Sequence, residues 1–337
     1  MKPSTRALST PCPLCNSSVA TVISETAYAD IWYQLHAEWG ARFSDAVQSC
    51  HTLAPAVKLL TCSECCLQYF SPALPGTAHF YSELTSSAAQ YYNDDKWEFG
   101  HVRQFLTKNH RVLDVACGKG AFLRSIVGSV SEAVGIDTNP DVAPANQGAG
   151  VQVRIHNQSV ELYSLEHREE FDWVTAFQVI EHLASVMPFI HAAYRCVKPG
   201  GMLVLSVPNR NRRKDLSFGS LDYPPHHISR WAEEQLESVA HFLDAKLLSI
   251  SKQPLDKSQT IGALRLKELP GLLPHDFPGR TLLINVTSRL MVSFSLSLAY
   301  RRLALTERFG MYGHSLVALL RKPSDDRPRS SGSSQST

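Results

Sequence analysis

The sequence predicts an α/β fold: a doubly wound seven-stranded sheet, a small cysteine-bearing domain ahead of it, and a helical insertion before the last strand. Three observations predict it. From residue 111 onward, short apolar runs alternate with amphipathic stretches; the first run passes through small residues and glycines straight into a helix pattern; and six of the eight cysteines fall within residues 1–75. Alternating strand and helix patterns imply parallel strands joined by right-handed crossovers. A chain of 337 residues has room for such a core and an accessory unit, since single domains usually run ~100–200 residues.

Residues 1–75 are turn-rich, and between their cysteine pairs Ile31, Trp32, Leu35, Trp39 and Phe43 recur at helical spacing, so Ala27 to Ala46 reads as an inserted helix. Residues 76–110, with Phe80-Tyr81, Tyr91-Tyr92 and Trp97-Glu-Phe99, read as an aromatic-rich connector packed on the main domain. The core is assigned to residues 111–255, with strands near 111–115, 132–137, 151–155, 171–177 and 201–207. The turn Pro199-Gly-Gly201 feeds the fifth strand; a helix over 229–243 and a sixth strand, Lys246-Leu-Leu-Ser-Ile250, follow. Residues 256–312 break the rhythm with two or so amphipathic helices, read as a cap. His314-Ser-Leu-Val-Ala-Leu-Leu320, within 313–322, is the last strand, and the Ser-, Pro- and charge-rich tail 323–337 has too little apolar surface to order itself.

The formal charge of +2, from 33 Lys+Arg against 31 Asp+Glu, gives no general pull toward nucleic acid or anionic membranes. Met1-Lys-Pro-Ser-Thr-Arg opens no signal peptide. Leu290–Tyr300, flanked by Arg289 and Arg301 and broken by serines, is too short for the ~20 apolar residues of a spanning helix. A cytoplasmic chain with no transmembrane segment is expected, whose cysteines serve burial or metal ligation rather than disulfides.

The most informative stretch is Arg111-Val-Leu-Asp-Val-Ala-Cys-Gly-Lys-Gly-Ala-Phe-Leu123, followed by Ala133-Val-Gly-Ile-Asp137, whose terminal carboxylate can accept both hydroxyls of a ribose. A hydride-transfer domain needs G-x-G-x-x-G to seat a pyrophosphate on a helix N-terminus. Here the glycines are spaced differently. Asp114, Ala116, Gly118 and Gly120 resemble the acidic-x-G-x-G-x-G pattern of class I S-adenosylmethionine methyltransferases, with Ala116 in place of the first glycine. The resemblance runs over most of residues 108–255, including Phe171–His182 as fourth strand and loop and Cys196–Pro208 as the following turn and strand. It implies S-adenosyl-L-methionine as cofactor, with Asp114 as counter-charge for its amino group and Gly118 and Gly120 under its methionine part. It further implies Asp137 on the ribose, Asn157 or Gln158 near adenine, and Gln178 near the cofactor.

Cys12-Pro-Leu-Cys15 and Cys62-Ser-Glu-Cys65 are two CxxC knuckles able to present four thiolates to one tetrahedral Zn2+, with Cys66 as a competitor for Cys65. Four cysteines leave no open position for water, so this zinc is expected to be structural. Cys117 and Cys196 read as small packing residues. A zinc ribbon before such a core resembles bacterial small-molecule and sugar methyltransferases, among them sugar C-methyltransferases of deoxysugar pathways, although their C-terminal half is not recognisable here.

Methyl transfer is an in-line displacement, so the enzyme must align a nucleophile and, for a hydroxyl, remove its proton. Glu181 and His182 follow the fourth strand, where the loop of this fold faces the methyl. Tyr223-Pro-Pro-His-His-Ile-Ser-Arg-Trp231 presents His226 and His227 on a proline-stiffened loop, with Ser229 placed to cap the next helix. One of these two histidines is read as base or substrate ligand and the other as structural. Glu181-His182 with His226 or His227 also resembles the metal site of small-RNA 2′-O-methyltransferases and some quinone O-methyltransferases. Those begin Glu-x-x-Glu-His, and Gln178 replaces the first glutamate, which makes a weaker ligand for a hard cation.

The fourth strand ends Ala-Phe-Gln-Val rather than in the Asn/Asp-Pro-Pro-Tyr/Phe that stacks a flipped amino base, which argues against exocyclic-amine methylation of nucleic acid. The basic run Asn209-Arg-Asn-Arg-Arg-Lys214 reads as a solvated loop. The sequence therefore points to O-methylation of a small molecule or glycan precursor. C-methylation of a nucleotide sugar, RNA methylation and a non-catalytic zinc-ribbon adaptor stand as alternatives.

Overall fold

The structure is a computed structural model that describes residues 10–87, 95–139, 153–212, 218–254 and 313–324. The expected cap over 256–312, the Leu290–Tyr300 segment and the tail from residue 325 lie outside the described residues. The chain divides into two compact units. The first holds the elements described next.

It begins with β1 (Ala20–Ala27), α1 (Tyr28–Trp39), α2 (Asp45–His51), β2 (Ala56–Cys62) and β3 (Gln68–Ser71). Then come α3 (Ala78–Ser87), α4 (Trp97–Arg103), β4 (Arg111–Val115), α5 (Ala121–Ile126), β5 (Glu132–Asp137), β6 (Arg154–Asn157), α6 (Val160–Glu166) and β7 (Phe171–Phe177). The chain continues through α7 (Val186–Cys196), β8 (Val197–Pro208), β9 (Ser229–Arg230), α8 (Glu233–Phe242), β10 (Lys246–Lys252) and β11 (Ser315–Arg321). The large sheet has seven strands in the order β10-β11-β8-β7-β4-β5-β6, and the β7–β8, β7–β4, β4–β5 and β5–β6 pairs are parallel.

Both faces of this sheet are covered because its central strands are apolar at nearly every position, the pattern of doubly buried parallel strands. Leu113, Val134, Val174, Leu203 and Leu205 face one core with Val160, Ile190 and Leu236 of α6, α7 and α8. Val112, Ala133, Trp173, Met202 and Val204 face the other, with Phe99 of α4 and Phe122 and Leu123 of α5. The strand period of two sends alternate side chains to opposite faces.

The N-terminal segment forms a second sheet, ordered β1-β2-β3-β9, with Cys62 at the end of β2 and Cys65 and Cys66 in the turn that follows. The inserted helix expected over 27–46 ends earlier, at Trp39, where Gly40 takes a left-handed φ of 68° and donates to His36 O. A separate helix, α2, then starts on Ser44. Tyr28, Ile31 and Leu35 of α1 pack with Val57, Leu59, Phe70, Phe80 and Leu84 into a core of their own.

Three further differences from the sequence-based expectation have local causes. The third strand lies at 154–157 rather than 151–155, residues 151–152 being outside the described set. Pro199-Gly-Gly201 sits inside β8, because the pairing jumps from Phe171–Val197 to Trp173–Met202 and extrudes the turn as a bulge. The helix expected over 229–243 starts at Glu233, since Ser229 and Arg230 pair with Tyr69 and Gln68 of β3. Ser229 is not its cap: its hydroxyl accepts from Trp231 Nε1 at 2.9 Å, while Gln235 Oε1 accepts from Ala232 N at 3.0 Å.

The second unit comprises residues 209–217 and 252–315, of which 209–212, 252–254 and 313–315 are described. Asn209 N donates to His314 O at 2.6 Å, and Arg212 is buried, so this part of the basic run is not a solvated loop.

Candidate functional site

Asp114 lies in the middle of the sheet, paired in register with Thr175, whose hydroxyl donates to Asp114 Oδ1 at 2.7 Å. Burial pushes this carboxyl up to about 7, against the opposing effects of that hydrogen bond and of Lys96. The strand then turns through Ala116, Gly118 and Gly120, all with positive φ (55°, 53° and 74°). Gly120 caps α5, and the space where a Gly118 Cβ would stand is open. Ala116 holds a conformation that a Cβ disfavours by roughly 1–2 kcal/mol. Cys117 packs inward; a Cβ on Gly135 would come within 2.6 Å of its sulfur.

Asp137 ends β5 beside this turn. Its Oδ2 accepts from Gly118 N and its Oδ1 from Asn139 N, each at 2.8 Å, so the carboxylate is fixed by two backbone donors. Asn157 stands opposite Asp137 in the β5–β6 pairing and donates through Nδ2 to Asp137 O at 3.1 Å; Gln158 N donates to the same oxygen. Gln178, just past β7, has a φ of 55° and is anchored on Ser206 of β8. Its Nε2 donates to the buried carboxylate of Glu98 in α4 at 3.0 Å. Asp114, the turn, Asp137, Asn157 and Gln178 thus all lie at the C-terminal ends of adjacent strands, where open α/β sheets bind ligands. The fixed Asp137 carboxylate and the open Gly118 turn fit a nucleoside cofactor.

The second group of expected residues meets one step further along β7. Glu181 and His182 form a single 3-10 turn, and the loop before β9 brings His226 and His227 against them, with ring centroids of the three histidines 4.8, 4.8 and 4.3 Å apart. The loop is pinned on three sides: Ile228 N donates to Glu181 O, Phe70 N to Ile228 O, and Gly76 N to Pro225 O. Arg230 stacks on Phe70, Phe218 and Tyr223 behind it. Burial raises the Glu181 carboxyl to about 8, while burial and the neighbouring His227 lower His182 to about 3, so this imidazole is neutral at ordinary pH. Lys96, at the start of α4, acts on both Asp114 and Glu181, which puts the two groups in one electrostatic field.

Four participants escape sequence reasoning. Tyr81 Oη lies 3.0 Å from His182 Nδ1, and Asp222 Oδ1 lies 3.6 Å from His227 Nδ1; Lys96 and Glu98 come from the connector. Tyr81 had a signal: Phe80 and Leu84, spaced i and i+4, set the buried face of α3, and Tyr81 is turned ~100° from Phe80.

The cysteine knuckles are alike. Asn16 and Cys66, each just after a CxxC, have φ near 60° and donate N–H back to the carbonyls of Cys12 and Cys62. Cys66 is therefore the exposed closing residue of a turn, not a competitor for Cys65. The sulfurs of Cys12, Cys15, Cys62 and Cys65 lie within 4.8 Å of one another, with Cys12–Cys65 at 3.5 Å and Cys15–Cys62 at 3.4 Å. A tetrahedral ion with bonds of ~2.3 Å sets its ligands about 3.8 Å apart, so the cluster is compatible with a zinc ribbon. Cys50 is exposed, and Cys196 is buried with its thiol on Ala192 O.

Comparison with known proteins gives a consistent result. A family model described as a methyltransferase domain matches residues 79–250. A ubiquinone biosynthesis O-methyltransferase of Hydrogenovibrio crunogenus is 30% identical over 243 residues, covering 66% of this chain and 94% of that protein. One from Klebsiella pneumoniae is 33% identical over 165 residues, 47% of this chain and 66% of that protein. Among solved structures, a putative methyltransferase from Bacillus halodurans aligns with TM-score 0.45 and 17% identity, covering 68% of this chain and 100% of that one. No helix among the described residues is long and apolar enough to cross a membrane.

Proposed function

We propose, from the premise that this chain belongs to the methyltransferase-domain family and is a class I S-adenosylmethionine-dependent methyltransferase, that it methylates a hydroxyl of a small molecule or glycan precursor. The observation that carries this reading is the buried Glu181 among His182, His226 and His227, one turn past the strand that neighbours Asp114. A site that only bound the cofactor has no use for a buried carboxyl set among three imidazoles there. The relatives named as ubiquinone biosynthesis O-methyltransferases support oxygen as the atom methylated and a small molecule as its carrier.

The cofactor supplies an electrophilic methyl on a sulfonium centre. Asp137 accepts the ribose hydroxyls, Asp114 balances the ammonium, and Asn157 or Gln158 borders the adenine. Gly118 and Gly120 let the backbone approach the methionine part, with Ala116 completing the turn. On the acceptor side, Glu181 in its ionised form would take the hydroxyl proton, with the neutral imidazoles around it orienting the acceptor oxygen toward the methyl. The products would be a methyl ether and S-adenosylhomocysteine, with the proton held by Glu181 until it passes to solvent. Cys12, Cys15, Cys62 and Cys65 would hold a structural zinc, and Gln235, donating to Cys65 O at 2.8 Å, ties that segment to α8.

The test is turnover of the full chain with S-adenosylmethionine against catechol-type aromatics and nucleotide sugars, locating the new methyl by NMR. Methyl on oxygen is expected. Methyl on carbon, or no calorimetric binding of S-adenosylhomocysteine, would overturn the reading.

A further inference from the structure

We propose that Glu98 of α4 makes the protein prefer the positively charged cofactor to its neutral product, by supplying negative charge at the C-terminal edge of β7. Glu98 is the middle residue of Trp97-Glu-Phe99, a motif that stands out in the connector, and aromatic packing fixes its place. The Phe99 ring lies 5.1 Å from that of Phe177, the last residue of β7, and 5.4 Å from that of Phe122 in the first turn of α5. One element neighbours the strand of Asp114 and the other follows its glycine turn, so α4 sits at the cofactor end of the sheet. Glu98 is 4% exposed and accepts from Gln178 Nε2 at 3.0 Å.

Gln178 stands three residues after Thr175, which holds Asp114, and three before Glu181. The inference rests on the hydroxyl-methylation reading, in which Asp114 meets the cofactor's ammonium and Glu181 the acceptor hydroxyl. The sulfur that gives up its methyl belongs between those two groups, and Glu98 meets the end of β7 between them.

Charge supplies the second argument. Glu98, Asp114 and Glu181 are all buried, and Gln178 and Thr175, which donate to the first two, are neutral. Lys96 is the cation whose field reaches Asp114 and Glu181; it is half-buried, with Nζ 5.9 Å from the centroid of the Phe99 ring. Three buried carboxyls against one ammonium leave a surplus of negative charge, which is costly to hold away from water without a counter-ion. A cofactor with a sulfonium and an ammonium against one carboxylate supplies the missing positive charge. S-adenosylhomocysteine, whose sulfur is a neutral thioether, does not. Asp114 is committed to the ammonium and Glu181 to the proton, which leaves Glu98 for the sulfonium. Loss of the methyl removes that attraction and favours exchange of product for fresh cofactor.

Calorimetry on the full chain compares sinefungin, in which an ammonium-bearing carbon replaces the methylsulfonium, with S-adenosylhomocysteine. Glu98→Gln keeps the shape and, through its amide oxygen, the bond from Gln178, but removes the charge. It should weaken sinefungin roughly tenfold, the scale of one charge at short range in a partly screened site, and leave S-adenosylhomocysteine within about twofold, which also reports that the variant folds. Glu98→Asp keeps the charge and should recover most of the lost preference. A merely structural role would weaken both ligands alike. Equal losses for the two ligands, no change for either, or a sinefungin loss just as large in Glu98→Asp would overturn the inference while the hydroxyl reading stands. Methylation of carbon by protein that shows the charge preference would do the reverse.

Discussion

The proposed cofactor side takes its central residues from one continuous strand, turn, helix and strand, Asp114 to Asp137, with Asn157 and Gln178 added at the ends of neighbouring strands, whereas the proposed acceptor side gathers Tyr81, Glu181, His182, Asp222, His226 and His227 from three distant segments. The first side is held by backbone: two N–H groups fix Asp137, and the sheet register fixes Asp114 beside Thr175. The second is held by a loop that borrows a strand position in the cysteine-bearing sheet, β9 against β3. A local device tolerates substitution elsewhere; an assembled one depends on every segment that delivers a part. On the proposed reading, the difference also separates the two tasks, binding on one side and proton handling on the other.

The largest expected effect tests that separation. Glu181→Ala should cut kcat about 10²–10⁴-fold, the usual worth of a positioned proton acceptor whose pKa lies near the operating pH, while S-adenosylhomocysteine affinity measured by calorimetry stays within about twofold. Asp137→Ala should do the opposite, weakening that affinity roughly 10–100-fold through lost charge-assisted hydrogen bonds. If both variants lost binding alike, the two sides would be one unit.

A pH series sharpens the cofactor side. Asp114 is raised to about 7 by burial, and on the proposed reading the cofactor's ammonium requires it ionised. Affinity should therefore fall as pH drops below about 7, approaching tenfold per unit, and Asp114→Asn should bind weakly with a flat profile. The stability sign is the reverse. The folded, cofactor-free chain holds the Asp114 proton more tightly than the unfolded chain does, so this contribution is complete below about 4 and is lost as pH rises through about 7. Denaturant titrations across that window check it.

Tyr81→Phe removes a hydroxyl 3.0 Å from His182 Nδ1; a loss of about 1 kcal/mol, or roughly fivefold in kcat, is expected without change in cofactor affinity. Ala116→Gly, the smallest effect, relieves a φ of 55°. It should raise the thermal midpoint slightly, the relief of roughly 1–2 kcal/mol being partly offset by glycine's extra freedom in the unfolded chain.

How much of this was legible in the sequence follows the same division. The turn around Gly118, the strand ending at Asp137 and the two CxxC knuckles are local patterns, and the structure places their residues together. The closeness of His182 to His226 and His227 could be guessed from the chemistry these residues share, but not the loop's anchoring on Phe70. That depends on β9, a two-residue strand with no periodicity of its own, which also took Ser229 away from the helix it was expected to cap. Cys66 misled because its residue type suggests a ligand, whereas its backbone conformation makes it a turn residue. Asp222 and Lys96 carry no pattern at all; long-range packing alone brings them in.

The most direct test of a binding side separable from a proton-handling side is calorimetry of S-adenosylhomocysteine on Glu181→Gln protein, run beside its turnover. A Kd within about twofold of wild type and a kcat lower by at least about 10²-fold are expected. A Kd that rises in step with the loss of turnover would contradict that separation.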